Sequence, residues 1–289
     1  MNQAKKLRAL LAEPGALVLP GCYDALTARL IERAGYKAAF MGGFAVSASR
    51  IAAPDTGLIS YAEMADQGAN ICAAVDIPVI GDGDTGYGNA VNVQRTVRGF
   101  ARAGFACVMI EDQVGPKKCG HTKGKQIVSR DEAFARVRAA VDARDSLRDG
   151  GADILIMART DANATDGMDE AVLRAQTFAE IGADITFLEA PNDEDEMRRY
   201  CSEVPGHKMA NMVEGGKTPF LPPEQLAEIG YKVVIYPVSL MLAGLKVMED
   251  ALKTMQGGSH PEGLAEFAHL QDVVGFPDYY DVEKKYAAD

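Results

Sequence analysis

The chain has 289 residues, and 30 Lys+Arg against 41 Asp+Glu give it a formal charge of −11 at pH 7. That balance argues against a nucleic-acid partner, whose binding needs clustered cations. With 47% apolar and 25% charged residues the chain can bury a full core, and no run approaches the roughly 18 apolar residues of a membrane span.

In chain order, the first β-rich run is residues 16–19. The turn after it, Pro20-Gly21-Cys22-Tyr23-Asp24, is not the GxGxxG of a dinucleotide site. A helix is predicted over 24–34, with Leu26, Leu30, Ile31 and Ala34 on one face. Strands follow at 38–41 and 78–80, then a helix over 89–103 with Val93, Val97, Phe100 and Ala101 inward. Further strands are predicted at 107–110, 154–157, 185–188, 208–210 and 233–236. Five of the eight runs begin three residues after a glycine (Gly35, Gly104, Gly151, Gly182, Gly230), as expected where a helix ends in a left-handed residue and a buried parallel strand starts. Eight such units predict a single (β/α)8 barrel domain over 1–289, with 244–289 as a C-terminal helical extension. A doubly wound sheet is the alternative. The end of the chain, with Phe276, Tyr279, Tyr280 and Tyr286, is expected to pack on the barrel or on a neighbouring subunit. The five cysteines are odd in number, widely spaced and without a CxxC pair. With no signal-peptide core at the N-terminus, they suggest reduced thiols in the cytoplasm.

Catalytic groups of such a barrel come from the C-terminal strand ends. There the sequence places Gly42 and Gly43, Asp82 and Asp84, Glu111, Arg159, Glu189, and Asn211 with Glu214 beyond it. Asp82 and Asp84 share one side if the third strand persists, and Glu111 joins them from the next strand. Clustered carboxylates repel unless a cation neutralises them, and hard oxygen ligands suit Mg2+ or Mn2+. Asp55 is placed to join through water. The long loop after the fourth strand carries Lys117, Lys118, Lys123 and Lys125 around Cys119. Ammonium groups beside a thiol favour its thiolate, so Cys119 is the candidate for moving a proton.

These motifs resemble the isocitrate lyase and phosphoenolpyruvate mutase superfamily, over about residues 15–243. The matching segments are Pro20-Gly21-Cys22-Tyr23-Asp24-Ala25, Pro54-Asp55-Thr56-Gly57, Gly81-Asp82-Gly83-Asp84-Thr85-Gly86-Tyr87-Gly88, Glu111-Asp112-Gln113, Lys117-Lys118-Cys119-Gly120-His121, Ala158-Arg159-Thr160-Asp161 and Asn211-Met212-Val213-Glu214-Gly215-Gly216. The resemblance implies a Mg2+-dependent (Mn2+ as alternative) barrel enzyme that assembles as a homotetramer, a dimer of dimers exchanging a C-terminal helix, and takes a small anionic substrate. It implies that Asp82 is a metal ligand, with Asp84, Asp55 and Glu111 contributing directly or through water. Met41, Gly42, Gly43, Gly120, His121, Asn211 and Glu214 are implied to bind substrate, while Cys119, Arg159 and Glu189 act in catalysis, Cys119 as general acid. In the 2-methylisocitrate lyases an arginine after the eighth strand grips a further carboxylate; here that stretch ends in Leu242. A tricarboxylate is therefore disfavoured. The expected reaction is retro-aldol cleavage of a substituted malate resembling 2,3-dimethylmalate. The alternatives are phosphorus–carbon chemistry of the carboxyphosphonoenolpyruvate type, 2-methylisocitrate cleavage, and oxaloacetate decarboxylation or hydrolysis. Tyr87 and Glu189 are candidates for the base.

Overall fold

The structure, a computed structural model, describes residues 2–119 and 124–287. Eight parallel strands, β1 (Leu17–Cys22), β2 (Ala39–Met41), β3 (Val79–Asp82), β4 (Cys107–Glu111), β5 (Leu155–Thr160), β6 (Ile185–Leu188), β7 (His207–Asn211) and β8 (Val233–Tyr236), pair in sequence order, and β8 closes on β1. This is a (β/α)8 barrel. All five capping glycines have positive φ, from 82° to 121°, so each helix-to-strand turn uses the conformation that glycine reaches at low cost.

Five of the observed strands (β1, β3, β4, β5 and β7) run further toward their C-terminal ends than the apolar runs. β5 continues through Arg159 and Thr160, and β4 through Glu111, because Glu111 and Arg159 pair with each other in register. Conversely β3 stops at Asp82, and Asp84 turns away with φ 48°. The two aspartates therefore do not share a strand face. A turn brings them together, with the Asp84 amide donating to Asp82 Oδ1 at 3.0 Å.

The barrel is filled by alternate side chains. Ile80, Met109, Met157, Phe187 and Met209 belong to the interior cluster, and two residues further along each strand direction stand Asp82, Glu111, Arg159, Glu189 and Asn211. With a period of two, the next interior layer is polar. At the opposite mouth α1 (Gln3–Ala12) adds Ala4, Leu7 and Leu11 to the same cluster. Its Arg8 bonds Asp184 at 2.6 Å, just ahead of β6.

Outside the barrel lie α2 (Ala25–Arg33), α3 (Gly43–Ile51), α4 (Tyr61–Ala73), α5 (Ala90–Ala103), α6 (Arg130–Asp149), α7 (Met168–Ile181), α8 (Glu194–Glu203) and α9 (Pro223–Ile229). α5 buries Val93, Val97 and Phe100 as expected, with Thr96 added. The expected face of α2 is corrected. Leu26 and Leu30 are 41% and 43% exposed, and the buried stripe is Thr27, Ala28 and Ile31. The helix starts at a capping box in which Asp24 accepts from the Thr27 amide at 2.7 Å.

Contacts divide the chain into a unit ending at Ser239, which holds the barrel, and a second from Leu240 onward. The second unit contains most of α10 (Ser239–Gln256), then α11 (Phe267–Val273) and α12 (Phe276–Tyr286). Neither α10 nor α12 buries any residue. Among the described residues no helix is long and apolar enough to cross a membrane.

Candidate active site

The polar layer at the C-terminal strand ends brings together Asp55, Asp82, Asp84, Glu111, Arg159 and Glu189, all buried, with Asn211 half-buried beside them. Each is held by identifiable partners. Asp82 accepts the Gly43 amide at 3.0 Å, so the N-terminus of α3 meets a carboxylate, as the helix dipole favours. Arg159 faces three carboxylates: Asp161 at 2.8 Å, Glu189 at 3.1 Å and Glu111 at 3.3 Å. Its guanidinium also lies 5.2 Å from the centre of the Phe187 ring. Asn211 donates to Glu189 at 3.4 Å.

Among the described residues, two lysines of the post-β4 loop turn to buried carboxylates. Lys117 is only 5% exposed, and its ammonium lies 2.8 Å from Asp55 and 2.7 Å from Asp84. Lys125, also buried, donates to Asp161 at 2.6 Å. Lys118 turns back to the Gly124 carbonyl at 2.9 Å. Two of the four ammonium groups are thus spent on buried carboxylates. Lys123 lies outside the described residues, as do Gly120 and His121. Cys119, half-buried, follows Lys117 by two positions.

Two further expectations change. Met41 sits in the layer between sheet and helices, packed with Ile71, Val46 and Phe105, because Phe40 is the residue of β2 that enters the barrel. The Met41 side chain does not reach the site. Glu214 is exposed and accepts a hydrogen bond from Ser239. Of the unassigned cysteines, Cys22 is fully buried with its thiol on the Phe40 carbonyl, and burial pushes the Cys201 thiol up to about 12.

The electrostatics are those of an acidic pocket. Six carboxylates (Asp55, Asp82, Asp84, Glu111, Asp161, Glu189) face three cations (Lys117, Lys125, Arg159), and burial makes that imbalance costly. Burial lifts Asp84 to about 6 against the pull of Lys117, and lifts Glu111 well above the carboxylate range against Arg159. Burial and then Asp84 drive the Tyr87 hydroxyl far above its usual range. Lys117, which burial alone would discharge, is held protonated by Asp84, Asp82 and Asp55.

The donor chemistry fits a divalent cation. Oδ1 of Asp55, Oδ1 of Asp84 and Oε1 of Glu111 are buried and make no hydrogen bond among the described residues. The first two lie near Lys117 as ion pairs without hydrogen-bond alignment. A Cβ on Gly43 would stand 3.1 Å from Asp82 Oδ2, 3.1 Å from the Lys117 ammonium and 3.4 Å from Asp84 Oδ1. A small cradle therefore opens where glycine leaves room. Among the described residues, however, no three acidic, His or Cys side chains are set at ligand distances around one point. The four carboxylates expected as ligands are gathered, and an ammonium group stands among them.

Asp112 and Arg174 carry no role in the sequence reading, yet they brace this layer. Asp112 accepts from the Thr160 hydroxyl, the Asp161 amide and Arg174, at 2.7, 2.9 and 3.0 Å. The signal was available in the Glu111-Asp112 pair at a strand end, where alternation sends neighbours to opposite faces.

The phosphoenolpyruvate phosphomutase family model matches residues 7–256. The chain belongs to that family. It is 43% identical to the 2,3-dimethylmalate lyase of Eubacterium barkeri, with 99% of each chain covered. It is also 43% identical to a 2-methylisocitrate lyase of Aeropyrum pernix, covering 94% of this chain and 87% of that one. Among solved structures, oxaloacetate acetylhydrolase in complex with 3,3-difluorooxalacetate superposes with a TM-score of 0.94 at 32% identity, over 100% of this chain and 98% of the other. Phosphonopyruvate hydrolase in complex with oxalate and Mg++ gives 0.86 at 28% identity, over 99% of each. The relatives are lyases, mutases and hydrolases of one superfamily on one barrel, and this family member is a lyase of the isocitrate lyase and phosphoenolpyruvate mutase superfamily.

Proposed function

We propose that the chain is a Mg2+-dependent carbon–carbon lyase, with Mn2+ as substitute, that cleaves a substituted malate of the 2,3-dimethylmalate type to an α-keto acid and a carboxylic acid. The observation that carries this reading is the buried layer of Asp55, Asp82, Asp84 and Glu111 beside Arg159, in a chain 43% identical to a 2,3-dimethylmalate lyase over 99% of its length. Phosphorus–carbon chemistry is the second reading, favoured by the name of the matching family.

Asp82, Asp84, Asp55 and Glu111 would hold the cation. When bound it supplies positive charge against the developing oxyanion. Arg159, steadied by Asp161 and stacked on Phe187, orients the carboxylate of the hydroxy-acid end, together with the backbone of Gly42 and Gly43. Glu189 and Asn211 line the pocket and restrict the hydroxyl to one direction. Cleavage moves the hydroxyl proton to a base and the C2–C3 electron pair onto C3. Cys119 then protonates that carbon. His121 and Gly120 keep the substrate-binding role implied by the resemblance. Self-association as a homotetramer and a cytoplasmic location belong to the same proposal, supported by the unburied faces of α10 and α12 and by the thiols of Cys22, Cys72, Cys107 and Cys201.

The test is substrate loss and product identity, followed by NMR, for 2,3-dimethylmalate, 2-methylisocitrate, oxaloacetate and phosphonopyruvate in Mg2+. The expected order places 2,3-dimethylmalate first, with activity abolished by EDTA. Cys119→Ala should lower kcat by about 10²- to 10⁴-fold with little change in KM. Turnover of phosphonopyruvate alone, or full activity of Cys119→Ala, would overturn the lyase mechanism.

A further inference from the structure

We infer that Lys117 is a built-in counter-ion that competes with the divalent cation for Asp55 and Asp84, and so sets how tightly the site binds metal. The inference rests on the reading of this layer as a cation site. Lysine is rarely buried unless paired, and a loop lysine could reach solvent, yet Lys117 reaches inward to two carboxylates at 2.7 and 2.8 Å. Its Nζ would stand 3.1 Å from a Cβ built on Gly43, the same place approached by Asp82 and Asp84.

One set of oxygens cannot serve both charges at full strength. A divalent cation of the Mg2+ type needs its oxygens at about 2.0–2.1 Å, and a neighbouring ammonium repels it. An ammonium on a four-carbon stem can also withdraw, which distinguishes it from the braced Arg159 guanidinium. Next to Lys117 the chain is held independently: Gln113 donates to the Lys118 carbonyl at 2.8 Å and accepts from its amide at 3.0 Å. Metal binding would therefore move the Lys117 side chain and loosen the segment 114–119 without tearing it from β4.

The experiment is calorimetric titration of the full chain, without substrate, by Mg2+ and Mn2+. Lys117→Met and Lys117→Gln should bind at least about tenfold more tightly than the wild type, because a competing charge is removed. Lys117→Arg should bind no more tightly, and Lys118→Met should stay within about twofold. Both neutral variants should gain more in Tm from Mg2+ than the wild type. In the wild type, added Mg2+ should speed amide hydrogen exchange over 114–119. Equal or weaker metal binding by a neutral variant with intact circular dichroism, or unchanged exchange over 114–119, overturns the inference and leaves the metal reading standing. Failure of the wild type and all variants to bind either metal overturns both.

Discussion

Asp161 is where single-residue chemistry is most exposed to test. It receives Arg159 at 2.8 and 3.0 Å and Lys125 at 2.6 Å. Burial raises its proton affinity, but Arg159 and Lys125 outweigh burial and leave it below the ordinary carboxylate range. The unfolded chain then binds the proton more readily than the folded one, so stability rises with pH through this window. The contribution is present at neutral pH and is lost as pH falls under about 4 toward the lowered value. Asp161→Asn should cost about 3–5 kcal/mol at pH 7, the range for breaking a buried pair. Its acid-unfolding curve should be flatter than the wild type's; an unchanged curve would mean that Asp161 carries no such linkage. That Asp161 lies just beyond β5 was readable from the sequence. Its partner Lys125, 36 positions away, was not, because a loop lysine has no periodicity to show where its tip goes.

For the secondary-structure elements, the seam where β1 meets the end of β8 is a close approach of backbone to backbone. Gly21 lies within β1, and a Cβ there would stand 2.1 Å from the Pro237 carbonyl oxygen. No rotamer relieves a clash with backbone. Gly21→Ala should therefore destabilise by about 3 kcal/mol or more, read as a fall in the urea midpoint at unchanged m-value. An unshifted midpoint would show that the seam can open without cost. The helices show how far periodicity reaches. In α5 the apolar stripe is unambiguous and its buried face follows. In α2, Leu26, Leu30 and Ile31 span more than one face, and packing of Ala28 and Ile31 into the core selects the buried one. The ends of β4 and β5 were set too early for a related reason. Hydropathy stops counting at Glu111 and Arg159, whereas backbone pairing continues through them.

For the whole molecule, the charge of −11 and the composition of the site point the same way. The described residues hold six carboxylates against three cations there, so the pocket is acidic until a divalent cation joins it. A second consequence concerns assembly. Leu245, Val247, Met248, Leu252 and Met255 on α10 are all about half exposed or more, and apolar side chains exposed together on one helix suit an interface. Sedimentation should show a tetramer, and charged substitutions at Leu252 and Met255 should shift it toward smaller species; a monomeric wild type would remove self-association from the proposal.

Local periodicity sufficed for eight alternating strand and helix units, and for the residue types that crown them, since both depend on neighbours a few positions apart. The identity of each ion partner came from barrel closure. Asp55 and Lys117 are 62 positions apart, and two loops meet there only because β2, β3 and β4 stand side by side in the closed sheet. Burial then turned a loop lysine from a solvated charge into one that must find carboxylates.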